Sequence, residues 1–247
     1  FDGIQEEINI EFDSKEERKL AYRCAVESIV LLKNKNRVLP LDKKIKSIAL
    51  IGPAVDNPRL YFGDYGYTAH VGLEKCAVEC KSLLEVFKEK FRGKVFYSKG
   101  CEVKDKNEEY FEDAIEKARM GEVIIFAGGE SSGFGEEDTV GEGKDSHDLR
   151  LPGSQEKLIL KLSELGKPLI LLLINGRPLI LTDIYDKVDA IVECWFPGEE
   201  GANAIFNILT GRETPSGKLP ISFPKHVGQI PVHYHRKEIS KNKKYVY

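Results

Sequence analysis

The sequence predicts an α/β fold, in which a mostly parallel sheet is covered by helices on both faces. Apolar runs of strand length alternate with segments whose apolar residues recur at helical spacing, and this alternation is typical of parallel strands connected by helices. Runs such as residues 168–175 are apolar throughout, as expected of strands that are buried on both sides. The chain has 247 residues, of which 41% are hydrophobic, so it can bury a substantial core.

The first predicted helix begins at Ser14, which caps it, and Glu17 three residues later completes a capping box. Its stripe of apolar or small residues is predicted to continue to Leu32, before residues 34–36 end the helix. Further helices are predicted at residues 82–91, 107–120, 154–165, 180–185 and 202–209. Strands are predicted at residues 45–52, 94–98, 122–127, 168–175, 188–196 and 219–223, from apolar runs bounded by glycine, proline or polar residues.

The longest predicted connection, residues 128–151, combines six glycines with seven carboxylates. Connections of this length are uncommon inside compact domains unless they are functional or mobile. This one follows a predicted strand, so we expect it at the carboxyl edge of the sheet, where open α/β folds bind ligands. Residues 56–67 and 197–201 are expected at the same edge. Carboxylates among glycines are candidates for proton transfer or for binding sugar hydroxyls, and a solvated acidic loop is the alternative.

The formal net charge of −3 gives no reason to expect a nucleic acid or an anionic membrane as a partner. The longest apolar run is of strand length, too short to span a bilayer. The glycine motifs of dinucleotide and phosphate-loop proteins are missing, as is the Gly-x-Ser-x-Gly elbow of serine hydrolases. The chain starts at Phe1 and holds a single methionine, so we expect it to be part of a longer protein.

Five cysteines leave an odd one in any pairing scheme. Cys76 and Cys80 have metal-like spacing, but no second pair with a nearby histidine follows them. Cys24, Cys101 and Cys194 lie in apolar contexts and are predicted to be small buried side chains. We therefore expect neither a zinc site nor a disulfide framework, and the compartment, cytoplasmic or secreted, stays open.

Several motifs, in order along nearly the whole chain, make it similar to the second domain of glycoside hydrolase family 3. They are residues 27–34 (ESIVLLKN) with 39–41 (LPL), 51–53 (IGP) with 63–65 (GDY), 151–155 (LPGSQ), 194–201 (CWFPGEEG) with 204–205, and 215–224 (PSGKLPISFP). The resemblance implies a three-layer α/β sandwich with about six strands. It also implies that this sandwich packs against a preceding (β/α)8-type barrel in the full enzyme.

In the family, the nucleophilic aspartate and most sugar-holding residues lie on that barrel, and the second domain lends a loop carrying the acid/base glutamate. In many members this glutamate follows Ser-Gly, shortly before an Asp-Arg pair and a Leu-Pro sequence. Residues 140–142 (VGE) match this pattern with valine in place of serine. The resemblance therefore implies that Glu142 is the general acid/base, with Glu137 and Glu130 as reserve candidates.

Asp145 matches the aspartate of the family's Asp-Arg pair, while Ser146 stands where the arginine is expected. The resemblance implies that Asp145 contacts a sugar hydroxyl, and Glu137 is a second candidate for substrate binding. No metal or organic cofactor is expected, because two carboxyl groups suffice for glycoside hydrolysis.

The predicted function is that of a domain of a retaining, exo-acting β-glucosidase or β-xylosidase. Its expected partners are an oligosaccharide or aryl glycoside substrate and a barrel domain of the same polypeptide. The predicted division is a linker and leading helix at residues 1–40, the sandwich at 41–225 and an extended tail at 226–247. The alternatives are a non-catalytic scaffolding or sugar-binding module that completes the barrel's pocket, and an unrelated nucleotide-binding α/β protein, which the missing phosphate loops disfavour.

Overall fold

A six-stranded sheet runs through the residues that the computed structural model describes, 12–72 and 78–234. Its strands are β1 (Val30–Asn34), β2 (Ser47–Ile51), β3 (Lys94–Ser98), β4 (Val123–Gly129), β5 (Leu169–Ile174) and β6 (Ala190–Glu193). They are ordered β1-β6-β5-β4-β2-β3, and only β1 runs antiparallel to its neighbour. The predicted mostly parallel sheet is therefore confirmed.

Helices cover both faces of this sheet, as predicted. They are α1 (Lys15–Ser28), α2 (Tyr67–Val71), α3 (Leu83–Lys90), α4 (Phe111–Met120), α5 (Gln155–Ser163), α6 (Thr182–Tyr185) and α7 (Gly201–Leu209). Buried side chains of α1, α3 and α7 share one apolar cluster, and those of α4, α5 and α6 share another. The six apolar residues of β5 alternate between the two clusters, because successive side chains of a strand point to opposite faces. The sheet is thus the middle layer of three.

The start of α1 is as predicted, and its end is not. Ser14 accepts a hydrogen bond from the backbone of Glu17, whose side chain accepts one in return from the backbone of Ser14. The helix stops at Ser28, however, and residues 30–34 form β1 beside β6. The predicted continuation of the helix to Leu32 is wrong, because residues 30–34 pair with β6 and complete the edge of the sheet. Leu32 then packs against the second apolar cluster.

The predicted strand at residues 219–223 is also wrong, since this segment has no regular structure. Pro220 and Pro224 have no N–H to donate to a strand ladder. Phe223 instead lies against the second cluster, with its ring centroid 6.4 Å from that of Trp195. The count of six strands holds because β1 takes the place of this segment.

Cys101 and Cys194 are buried as predicted, whereas Cys24 is exposed, and Cys76 lies outside the described residues. Most of the predicted tail, from residue 235 onward, also lies outside them. The division of the chain at residues 40 and 225 stays a prediction, although β1 places residues 30–34 in the sheet.

Candidate active site

The carboxyl ends of β2, β4, β5 and β6 lie at one edge of the sheet, because these four strands are parallel. The loops that leave them begin at residues 52, 130, 175 and 194. Residues far apart in sequence are therefore brought together at this edge, and the long acidic loop after β4 is one of the four.

Glu142 lies on this acidic loop, and its side chain is exposed. Its backbone N–H donates a hydrogen bond to Oδ2 of Asp64 over 2.7 Å. The hydroxyl of Tyr65 donates to Oε2 of Glu142 over 3.4 Å. Asp64 and Tyr65 belong to the loop that leaves β2, called here the β2 loop. This loop therefore makes a short hydrogen bond to the backbone of Glu142 and only a long one to its carboxylate.

Asp64 is buried, and it joins the β2 loop to the start of the acidic loop as well. Its Oδ1 accepts a hydrogen bond from the hydroxyl of Ser132 over 3.2 Å, and its own N–H donates to the same hydroxyl oxygen over 2.8 Å. The backbone N–H of Glu142 is the main cause that lowers the pKa of Asp64 below its ordinary value. Sequence reasoning placed this aspartate in a family motif at the carboxyl edge of the sheet but did not predict its contact with Glu142.

A second support comes from Arg177, which follows β5. Its Nη2 donates to the backbone carbonyls of Thr139 and Lys144, over 2.7 and 3.2 Å, on either side of Glu142. Its Nε lies 2.9 Å from Oε1 of Glu130 without being aligned for a hydrogen bond, so that contact is an ion pair.

Glu130, one of the reserve candidates, lies under the loop at the end of β4 and is only 4% exposed. Burial raises its pKa to about 6, and the charge of Arg177 opposes that shift. Its Oε2 accepts a hydrogen bond from the backbone N–H of Gly176 over 3.2 Å. The contacts of Glu130 are therefore those of a group that supports the loop.

Glu137 and Asp145, the two residues predicted to bind substrate, lie on the acidic loop with exposed side chains. Of the predicted site residues, Glu142 is the one that meets the β2 loop. The roles of all three residues stay predictions.

A further carboxyl, Glu193, is fully buried at the end of β6. Its Oε1 accepts a hydrogen bond from the backbone N–H of Trp195 over 2.9 Å, and Nδ2 of Asn175 lies 3.4 Å from its Oε2. Burial raises its pKa to about 8. Sequence reasoning missed this residue, although a lone carboxylate inside an otherwise apolar strand is a visible signal.

The described residues contain no group of three or more histidine, cysteine, aspartate or glutamate side chains placed to hold a metal ion. In the same part of the chain, no helix is both long and apolar enough to cross a membrane.

A three-layer sandwich with an acidic loop braced at the carboxyl edge of its sheet defines the class of this protein: an α/β domain with a carboxylate-rich candidate site. A family model described as the glycosyl hydrolase family 3 C-terminal domain matches residues 29–247. The chain therefore belongs to this family, as its sequence motifs predicted.

Two curated relatives illustrate the match. A protein named beta-xylosidase from Formosa agariphila is 38% identical over 244 residues, which cover 95% of this chain and 32% of the relative. A periplasmic beta-glucosidase from Salmonella typhimurium is 37% identical over 247 residues, covering 92% of this chain and 31% of the relative. The chain thus spans about a third of the length of these relatives.

A solved structure agrees with the sequence matches. The beta-glucosidase from Listeria innocua in complex with isofagomine superposes with a TM-score of 0.80 and 33% identity, covering 99% of this chain and 33% of that chain. The same fold therefore occurs as one part of a longer glycosidase.

Proposed function

We propose that this chain is the domain of a retaining, exo-acting β-glycosidase that supplies Glu142 as general acid and base. The proposal rests on the way in which the loop after β2 holds Glu142 of the acidic loop. The backbone of Glu142 is anchored by Asp64, while its side chain is exposed at the ligand-binding edge of the sheet. A group that must exchange protons with a substrate needs a fixed position and an accessible carboxyl.

The proposed substrates are oligosaccharides or aryl glycosides that end in a β-linked glucose or xylose. This range follows from relatives named beta-glucosidase and beta-xylosidase. The nucleophilic aspartate and most sugar contacts would lie on a (β/α)8-type barrel of the same polypeptide. Because the chain spans about a third of its relatives, such a further domain fits their length.

In the proposed mechanism, protonated Glu142 gives its proton to the glycosidic oxygen as the bond from this oxygen to the anomeric carbon breaks. The nucleophilic aspartate attacks the anomeric carbon and forms a glycosyl-enzyme intermediate. Glu142, now ionised, takes a proton from the water that releases the sugar. Asp145 and Glu137 would bind sugar hydroxyls from the same loop, and these steps need no metal or organic cofactor.

The test is Glu142→Gln in the full-length protein, with Glu136→Gln as the matched control, since Glu136 is exposed on the same loop. General acid catalysis contributes about 10²–10⁴-fold, so kcat/KM on cellobiose or xylobiose should fall by about that factor. An activated aryl glycoside needs little protonation to leave, so the variant should still form the glycosyl-enzyme intermediate from it. Azide can attack this intermediate without a general base, so adding azide should restore part of the turnover. Wild-type rates of Glu142→Gln on the disaccharide would overturn the proposal.

The same experiment separates this function from a purely scaffolding or sugar-binding role. A scaffold residue would alter KM or stability and leave kcat on poor leaving groups unchanged. Loss of kcat together with azide rescue is therefore specific to an acid/base.

A further inference from the structure

We propose that Asp64 is the positioning residue of the acid/base loop and acts through the backbone of Glu142. This inference rests on the proposed role of Glu142. Asp64 itself is buried and reaches the site from a different strand end.

The contacts of Asp64 use both carboxylate oxygens on the acidic loop. Oδ2 accepts the backbone N–H of Glu142 over 2.7 Å, and Oδ1 accepts the hydroxyl of Ser132 over 3.2 Å. One side chain therefore fixes both the start of the loop and the proposed acid/base residue, ten positions later. Hydrogen bonds to an ionised acceptor are shorter and stronger than neutral ones, and the lowered pKa of Asp64 keeps it ionised at neutral pH.

The loop is shaped to let this carboxylate approach. Gly141 has φ of +130°, and a Cβ built there would lie 3.0 Å from the carboxyl group of Asp64. A side chain at residue 141 would be strained in its backbone and would crowd the aspartate. Because residue 141 is glycine, it leaves room for the contact between Asp64 and the backbone of Glu142.

Asp64 and Arg177 hold different groups of the same segment. Arg177 binds the carbonyls of Thr139 and Lys144, whereas Asp64 binds the N–H of Glu142. The arginine supports the two flanks, and the aspartate fixes the peptide that carries the reacting side chain. Of these two supports, Asp64 is the one that directly limits where the carboxyl of Glu142 can reach.

Loss of this contact should therefore affect proton transfer more than substrate binding. A displacement of 1 Å can cost about 100-fold in rate, and only steps that need the proton would suffer. Substrates whose leaving group departs without protonation should react almost normally in the first step.

The experiment compares Asp64→Ala and Asp64→Asn with wild type in the full-length enzyme, using a disaccharide and a 2,4-dinitrophenyl glycoside of the same sugar. Asp56→Ala is the matched control. Asp56 is in the same β2 loop, and its Oδ1 accepts a hydrogen bond from the hydroxyl of Ser82 over 2.7 Å. Asp56→Ala therefore removes a comparable hydrogen bond outside the acidic loop.

We expect Asp64→Ala to lower kcat on the disaccharide by about 10–100-fold, with a small change in KM and a small change in the glycosylation rate on the dinitrophenyl glycoside. Asp64→Asn should lie between, because its amide oxygen can accept the N–H of Glu142 while its NH2 donates to Ser132. If the alanine variant does not fold, the isosteric asparagine carries the same comparison.

A double-mutant cycle with Glu142→Gln decides whether Asp64 acts through the acid/base. In the Glu142→Gln background, removing Asp64 should cost no further activity on the disaccharide. Equal losses on both substrates, or losses that multiply with those of Glu142→Gln, would overturn the positioning role alone. Wild-type activity of Glu142→Gln itself would instead refute the proposed function, so the two failures are distinguishable.

Discussion

The replacement of Glu193 by glutamine is expected to make the domain more stable at alkaline pH. Burial raises the pKa of this carboxyl from 4.5 to about 8, so between these values the folded chain holds a proton that the unfolded chain has lost. The stability that protonated Glu193 contributes is therefore fully present below pH 4.5. It decreases as the pH rises and is lost once the pH passes about 8. At about 1.4 kcal/mol per pH unit, the wild type should lose roughly 4 kcal/mol between pH 5 and pH 9. Glutamine has no proton to lose, so the free energy of unfolding of the variant should not show this decrease between pH 5 and pH 9.

Urea unfolding of the 247-residue chain measures the effect, because Trp195 is its only tryptophan and its backbone N–H bonds to Glu193. At pH 5 the two proteins should differ by about 1 kcal/mol, the worth of one altered hydrogen bond. At pH 9 the variant should be the more stable by several kcal/mol. Glu116→Gln, on the exposed side of α4, controls for the loss of one charge. A stability difference that is the same at every pH would refute the reasoning.

Three other substitutions test the supports of the site and of the fold. Under the proposed function, Arg177→Lys should lower disaccharide kcat by about 10-fold or more, as steady-state kinetics of the full-length protein would measure. Nη2 of Arg177 binds both carbonyls while its Nε pairs with Glu130, and a single ammonium cannot occupy both places. Gly129→Ala should destabilise the domain by several kcal/mol in urea unfolding, since its φ is +145° and the new Cβ would lie 2.1 Å from the carbonyl oxygen of Ile174. Ser82→Ala should cost about 1–2 kcal/mol in the same assay, because it removes both the capping bond from the backbone of Glu85 and the bond from the Ser82 hydroxyl to Asp56.

The layered fold follows from local patterns in the sequence, and its errors have local causes too. Short apolar runs predicted β2 to β6 within a few residues. The strand at residues 30–34 was missed because its apolar residues continue the helical stripe of α1, and only the exposed edge of β6 makes them a strand. The opposite error at 219–223 has a local cause too, because this apolar run contains Pro220 and is followed by Pro224, which cannot donate to a strand ladder.

The candidate site was predicted in part, for a different reason. The rule that parallel strands end at one edge placed the acidic loop correctly, and a family motif selected Glu142. The contact of Asp64 with Glu142 spans 78 positions, and no periodicity in either segment encodes it. The burial of Glu130 could not be foreseen either, because it depends on which loops fold over the end of β4.

Under the proposed function, the exposure of Glu142 indicates what a further domain would have to supply. A catalytic acid is tuned by burial and by neighbouring charges. In the described residues the buried groups, Asp64 and Glu130, lie beneath the loop, while the side chain of Glu142 is exposed. Under the proposed function, the surface that excludes water from a bound glycoside would be supplied by a further domain. This domain would contribute the precise placement of the proton donor, and the covering surface would contribute the environment in which the proton is held.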